Sequence, residues 1–216
     1  MMNFHETVLK KLIEYRETHS NFNFLTRQRS GAAKRFESGH WFQGNDKYAF
    51  VGLINASGGI NKTRSVGLVF KPKEYGFDCT LQVRFNGENR KELITCYNKL
   101  ISQIGGFGEK DSERFDKNLG RVSHNFSELF EFLDINYQSI ISIFEKNGCK
   151  DVLVSDEKFK NLISNIDEQR GYLETKKYWL YAPGENAREW DDFYEQGIMA
   201  LGWDDLGDLT KYNSKD

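Results

Sequence analysis

Residues 47–85 read KYAFVGLINASGGINKTRSVGLVFKPKEYGFDCTLQVRF, and three runs inside this stretch decide the fold class. Lys47–Asn55, Thr63–Lys71 and Phe77–Phe85 are rich in β-branched and aromatic residues, the composition that suits a pleated, half-buried strand. The connecting pieces SGGIN (57–61) and PKEYG (72–76) supply the Gly, Asn and Pro of turns. An antiparallel meander is the simplest arrangement of three such strands.

Working outward, Val8, Leu9, Leu12, Ile13 and Tyr15 recur at helical spacing between charged residues, which predicts an amphipathic helix over 7–18. NFNFLTRQRSGAAKRF (21–36) reads as a loop whose Phe22, Phe24 and Leu25 dock on the core. Beyond the strands, Leu93, Ile94, Tyr97, Leu100 and Ile101 predict a helix over 91–103, stopped by Gly105 and Gly106. Residues 105–123 are polar and Gly-containing and suggest no element of their own. Two further helices follow, over 126–146 and 156–172, the second opened by Ser155 as N-cap. The fold class is therefore α+β: an antiparallel or mixed sheet packed with helices.

The texture changes near residue 173, so residues 1–173 form one domain and 174–216 a second piece. In the second piece KYWLYAP reads as a strand, 187–196 as a short acidic helix and GIMALGW as another strand. Strand, helix and strand cannot enclose a core, so this is the start of a domain whose remainder lies beyond Asp216. The alternative is that it completes the first domain's sheet.

At 216 residues, with 38% hydrophobic and 29% charged residues and only 2 Pro, the composition is that of a folded chain rather than a disordered one. No stretch approaches the roughly 18 apolar residues of a membrane span, and the N-terminus has no apolar leader, so a cytoplasmic location is expected. Cys79, Cys96 and Cys149 are odd in number and widely spaced, which argues for buried reduced thiols rather than disulfides or a zinc site. The net charge of -2 conceals an asymmetry: residues 1–125 hold 20 Lys and Arg against 13 Asp and Glu, and the rest is acidic. The first part can face a polyanion.

His5, His19, His40 and His124 lie far apart, and no nucleophile, metal-ligand or nuclease pattern occurs. GGINKT (58–63) lacks the Gly-Lys junction and following helix of a phosphate loop, so neither a nucleotide cofactor nor an enzymatic activity is expected. Nucleic-acid candidates are clearer. Arg27, Arg29, Lys34 and Arg35 place four cations within nine residues, suited to tracking a phosphate backbone. Lys62, Thr63 and Arg64 sit on a turn whose N–H groups suit phosphate, unless it is a plain hairpin turn. Trp41 and Phe42 lie in the polar segment GHWFQGND, where exposed aromatics at a loop tip stack on a base or, alternatively, fold back to cap the sheet.

Tyr178–Pro183, Trp190 and Gly197–Leu209 carry the most specific pattern in the chain, YWLYAPGxxAxxW followed by GIMALGWDxLGDL. It resembles the start of the EVE-like domain found in relatives of the McrB restriction GTPase, a PUA-like barrel akin to YTH domains. Residues 1–173, with an opening helix, HWF (40–42) and the YAFVGL and SVGLVF strands, more loosely resemble the N-terminal DNA-binding region of McrB-like proteins. The resemblance implies the recognition module of a modification-dependent restriction system with a role in antiviral defence. Its partner would be double-stranded DNA carrying a modified cytosine of the 5-methylcytosine type, held after base flipping, which costs a few kcal/mol. A GTPase motor in the same protein and a nuclease subunit are further implied partners, and catalysis would lie outside these residues. Trp179, Tyr181, Trp190 and Trp203 are candidates for the modified-base pocket; Trp179 and Tyr181 share one strand face at period two. The alternative function is a protein-interaction or sensor region of an antiphage system without direct nucleic-acid binding. Kinship with YTH domains also suggests RNA.

Overall fold

The computed structural model describes residues 3–27, 33–56, 65–123 and 125–175, with Trp190, Asp191 and Glu195. The chain divides into two compact units, Met1–Leu173 and Glu174–Asp216. Within the second, beyond the end of the last long helix, Trp190, Asp191 and Glu195 are helical and exposed.

The first unit is an α+β structure. Its order is α1 (Phe4–Thr18), α2 (Ala33–Glu37), β1 (Gln43–Asn45), β2 (Tyr48–Gly52), β3 (Val66–Pro72), β4 (Phe77–Arg84), α3 (Lys91–Ile104), β5 (Gly108–Asp111), β6 (Arg114–Val122), α4 (Ser127–Lys146) and α5 (Asp156–Thr175). The strands form one antiparallel sheet in the order β1-β2-β3-β4-β6-β5. The three strands expected from residues 47–85 are its centre. The polar stretch 105–123 is corrected: it holds β5 and β6, a hairpin without apolar alternation whose β6 is held by its register with β4. A short helix, α2, also replaces part of the expected loop.

Strand alternation separates two faces. Ala49, Val51, Val66, Leu68, Phe70, Phe77, Cys79, Leu81 and Val83 are buried on one. Phe126, just before α4, stacks on Phe70 at 5.7 Å and lies tilted against Phe77 at 5.4 Å, and Phe4 of α1 lies 6.4 Å from Phe77. The helices therefore pack on this face, where each fully buried large apolar side chain contributes about 1.5–3 kcal/mol. The reverse face carries Lys71, Asp78, Thr80, Arg84, Asn118 and Arg121, all exposed or half-buried. Gly67 is required there, because a Cβ would come within 2.6 Å of the Phe50 ring lying across it.

The N-terminal loop is pinned rather than loose. Asn23 donates to the Val154 carbonyl and to Asp156, and accepts from Arg16, while Tyr137 Oη accepts from the Asn23 N–H at 3.0 Å. Ser155 caps α5 by accepting from the Lys158 N–H. All three cysteines are buried and free of disulfides, and burial raises the Cys79 thiol far above its ordinary range. Among the described residues, no helix is long and apolar enough to cross a membrane.

Candidate nucleic-acid interface

Antiparallel register brings chemistry from four strands to one end of the sheet. Lys71 of β3 pairs with Asp78 of β4, and Asp78 pairs with Arg121 of β6. Continuing the Ala49–Phe70 pairing by one residue sets Tyr48 of β2 beside Lys71. The row Tyr48, Lys71, Asp78, Arg121 crosses the reverse face at the edge where the β1–β2 and β3–β4 turns also lie. Lys47 and Lys73 sit in those turns and are exposed, as is Tyr75 at the tip of the second.

Asp78 organises the cations. Its Oδ2 lies 3.1 Å from Lys73 Nζ and its Oδ1 3.5 Å from Arg121 Nε. The Lys73 ammonium, with Arg121 beside it, holds the Asp78 carboxyl below the usual carboxylate range against the opposing effect of burial. One carboxylate thus steadies two long side chains and leaves Lys71 on the same row.

The segment 40–46 borders this edge, and here the sequence reading needs correction. Trp41 is 3% exposed and Phe42 fully buried, so neither is an aromatic at a loop tip. Trp41 Nε1 donates to Glu6 Oε2 at 2.5 Å, and the other Glu6 oxygen accepts from Arg170 Nη2 at 2.6 Å. Arg170 also lies 5.6 Å from the Trp41 ring centroid. The Trp ties α1 to α5 because its N–H finds a half-buried carboxylate already paired with an arginine. Phe42 packs against His5 and Phe24.

Arg27 is likewise engaged in the fold, donating from Nε to the His40 carbonyl at 3.0 Å and from Nη2 to those of Phe42 and Gly44. It clamps the 40–44 turn rather than tracking a phosphate backbone. Arg35 is exposed, and its charge helps hold Asp46 below the carboxylate range after the larger effect of the His40 hydrogen bond. Its backbone carbonyl accepts from the His40 N–H, and His40 bonds Asp46, so Arg35 stands near the β1–β2 turn. His5 is fully buried, with Nε2 bonded to the Asn45 carbonyl and Nδ1 accepting from the Phe42 N–H. Burial pulls its pKa down to about 4.

Arg29, Lys62, Thr63, Arg64, Trp179, Tyr181 and Trp203 lie outside the described residues, as does the side chain of Lys34. Trp190 is 48% exposed in the second unit. Among the sequence candidates, then, the structure leaves Arg35 exposed near the β1–β2 turn and assigns Arg27, Trp41 and Phe42 to the fold. Lys71, Lys73, Tyr75, Asp78 and Arg121 were missed. The signal for the first four was the turn KPKEYGFD (71–78), read only as turn chemistry; Arg121 lay in a stretch without apolar periodicity.

No group of three or more His, Cys, Asp or Glu residues arranged to hold a metal occurs among the described residues. Comparison with protein-family models, with curated proteins and with solved structures finds no match.

Proposed function

We propose that the chain binds DNA through the basic sheet edge, as the recognition part of a modification-dependent restriction system. The observation that carries the DNA reading is the cross-strand row of Lys71 and Arg121 organised by Asp78, flanked by Lys73. Lys and Arg held at strand spacing present charge to successive phosphates, and the ions they displace from DNA drive association. The reading that the DNA carries a modified cytosine rests on the EVE-like and McrB-like resemblance. Burial of one methyl group contributes only about 1 kcal/mol, so discrimination would rest on pocket shape.

Fluorescence anisotropy with otherwise identical modified and plain duplexes tests the reading. Three cations on phosphates predict a log-log salt slope of about -2.7, or about a 40-fold loss of affinity between 50 and 200 mM salt. Lys71→Glu should weaken binding to both duplexes alike. Equal affinity of the wild-type chain for modified and plain DNA would remove the restriction reading, and no binding at 50 mM salt would remove the DNA reading too.

The acidic helices α4 and α5 support a second reading, a face that docks a basic protein partner. α4 carries Glu128, Glu131, Asp134 and Glu145 against Lys146 alone. Co-purification of a partner by a chain that binds no DNA would favour it.

A further inference from the structure

Tyr75 is 70% exposed, the most exposed large apolar or aromatic side chain among the described residues, and it stands at the tip of the β3–β4 hairpin. The turn that carries it is closed and seated on β6. The Lys73 N–H donates to the Gly76 carbonyl at 3.1 Å, closing the turn. Gly76 has φ +90, and a Cβ on it would come to 2.2 Å of the Val122 carbonyl oxygen, so the turn is seated directly on the end of β6. Lys73 and Arg121 are both anchored on Asp78, at the base of the same hairpin.

Nothing in the core requires an aromatic ring at this tip. An exposed ring two residues from Lys73, with exposed Glu74 between them, can receive a nucleobase face while the neighbouring phosphates meet Lys71, Lys73 and Arg121. An intact duplex offers no such face, because its bases are stacked and only their edges line the grooves. The row, about 14 Å across four strands at about 4.8 Å spacing, matches a short run of splayed nucleotides.

Resting on the DNA-binding reading above, we propose that this edge takes a locally unpaired segment of DNA, with a base stacked on Tyr75 and its flanking phosphates on Lys71, Lys73 and Arg121. Tyr75 makes the edge selective for DNA in which base pairing is interrupted, and the cations supply affinity common to all DNA.

The test is anisotropy at 50 mM salt with a 20-base-pair duplex, the same duplex carrying a three-nucleotide gap, and single strands of DNA and RNA. The wild-type chain should bind the gapped duplex about tenfold more tightly than the intact one. Tyr75→Phe should keep this preference and Tyr75→Ala should abolish it with unchanged melting temperature, since the side chain is largely outside the core. A 2-aminopurine in the gap should be quenched by the wild-type chain and by Tyr75→Phe only. Equal wild-type affinity for gapped and intact duplex, an unaltered preference in Tyr75→Ala, or stronger binding to RNA than to DNA would overturn the proposal while leaving nucleic-acid binding intact. Failure to bind any probe would instead remove the DNA reading on which it rests.

Discussion

Trp41 shows how one residue changes meaning between sequence and structure. In the string GHWFQGND it is surrounded by polar residues and glycines, the setting of a surface turn. Its N–H instead reaches Glu6, already paired with Arg170, and the ring is buried. Trp41→Ala should therefore cost about 3–5 kcal/mol of stability by urea unfolding, leaving any preference among DNA duplexes unaltered. A stability loss below 1 kcal/mol would contradict the burial. His5 carries a pH dependence of definite sign. Its folded pKa of about 4 lies below the ordinary 6.5, so the unfolded chain takes up the proton first. The stabilisation is complete above pH 6.5 and is lost as pH falls from there toward 4. Unfolding free energy should drop by about 2 kcal/mol from this group between pH 7 and 5, and the drop should be absent in His5→Asn.

Among the elements, the β3–β4 hairpin has a demanding geometry. Pro72 pairs with Phe77 across a loop that includes Gly76 in the left-handed region. Any side chain at 76 meets both an unfavourable backbone conformation and the Val122 carbonyl, so Gly76→Ala should destabilise by about 2–3 kcal/mol. It should also weaken DNA binding by displacing Lys73 and Tyr75, which a comparison of Gly76→Ala with Tyr75→Ala on intact duplex would reveal. The β5–β6 hairpin illustrates the opposite extreme. Glu109, Lys110 and Asp111 of β5 are all exposed, so no buried face stamps its period on the sequence. Charged residues on an edge strand also discourage pairing with another chain.

For the whole first unit, charge is divided by layer. The strands carry Lys71, Arg84, Lys110, Arg114, Lys117 and Arg121 against Asp78, Glu109, Asp111 and Asp116, while α4 and α5 are acidic. The asymmetry seen along the chain, a basic 1–125 followed by acidic residues, becomes an asymmetry in space because the late helices pack on one face of a sheet built from the earlier residues. A polyanion that approaches the reverse face meets the basic layer first, which raises its encounter rate at low salt.

Periodicity and turn chemistry alone determined α1, the three central strands, α3, α4 and α5, because each buries an apolar face and must repeat at 2.0 or 3.6 residues to do so. The odd number and wide spacing of the cysteines pointed to buried reduced thiols, and all three are buried. Arg35 was legible as part of a charge run. Only the tertiary structure decided that β6 exists, since its place depends on hydrogen bonds to β4 rather than on its own side chains. Only the tertiary structure separated Trp41 from Tyr75 as core and surface. Exposure depends on what lies across from a residue: Glu6 and Arg170 close over Trp41 from 35 and 129 positions away, and no contact in the core holds Tyr75. The basic edge was equally hidden, because Lys71, Asp78 and Arg121 become neighbours by cross-strand register, which no local spacing encodes.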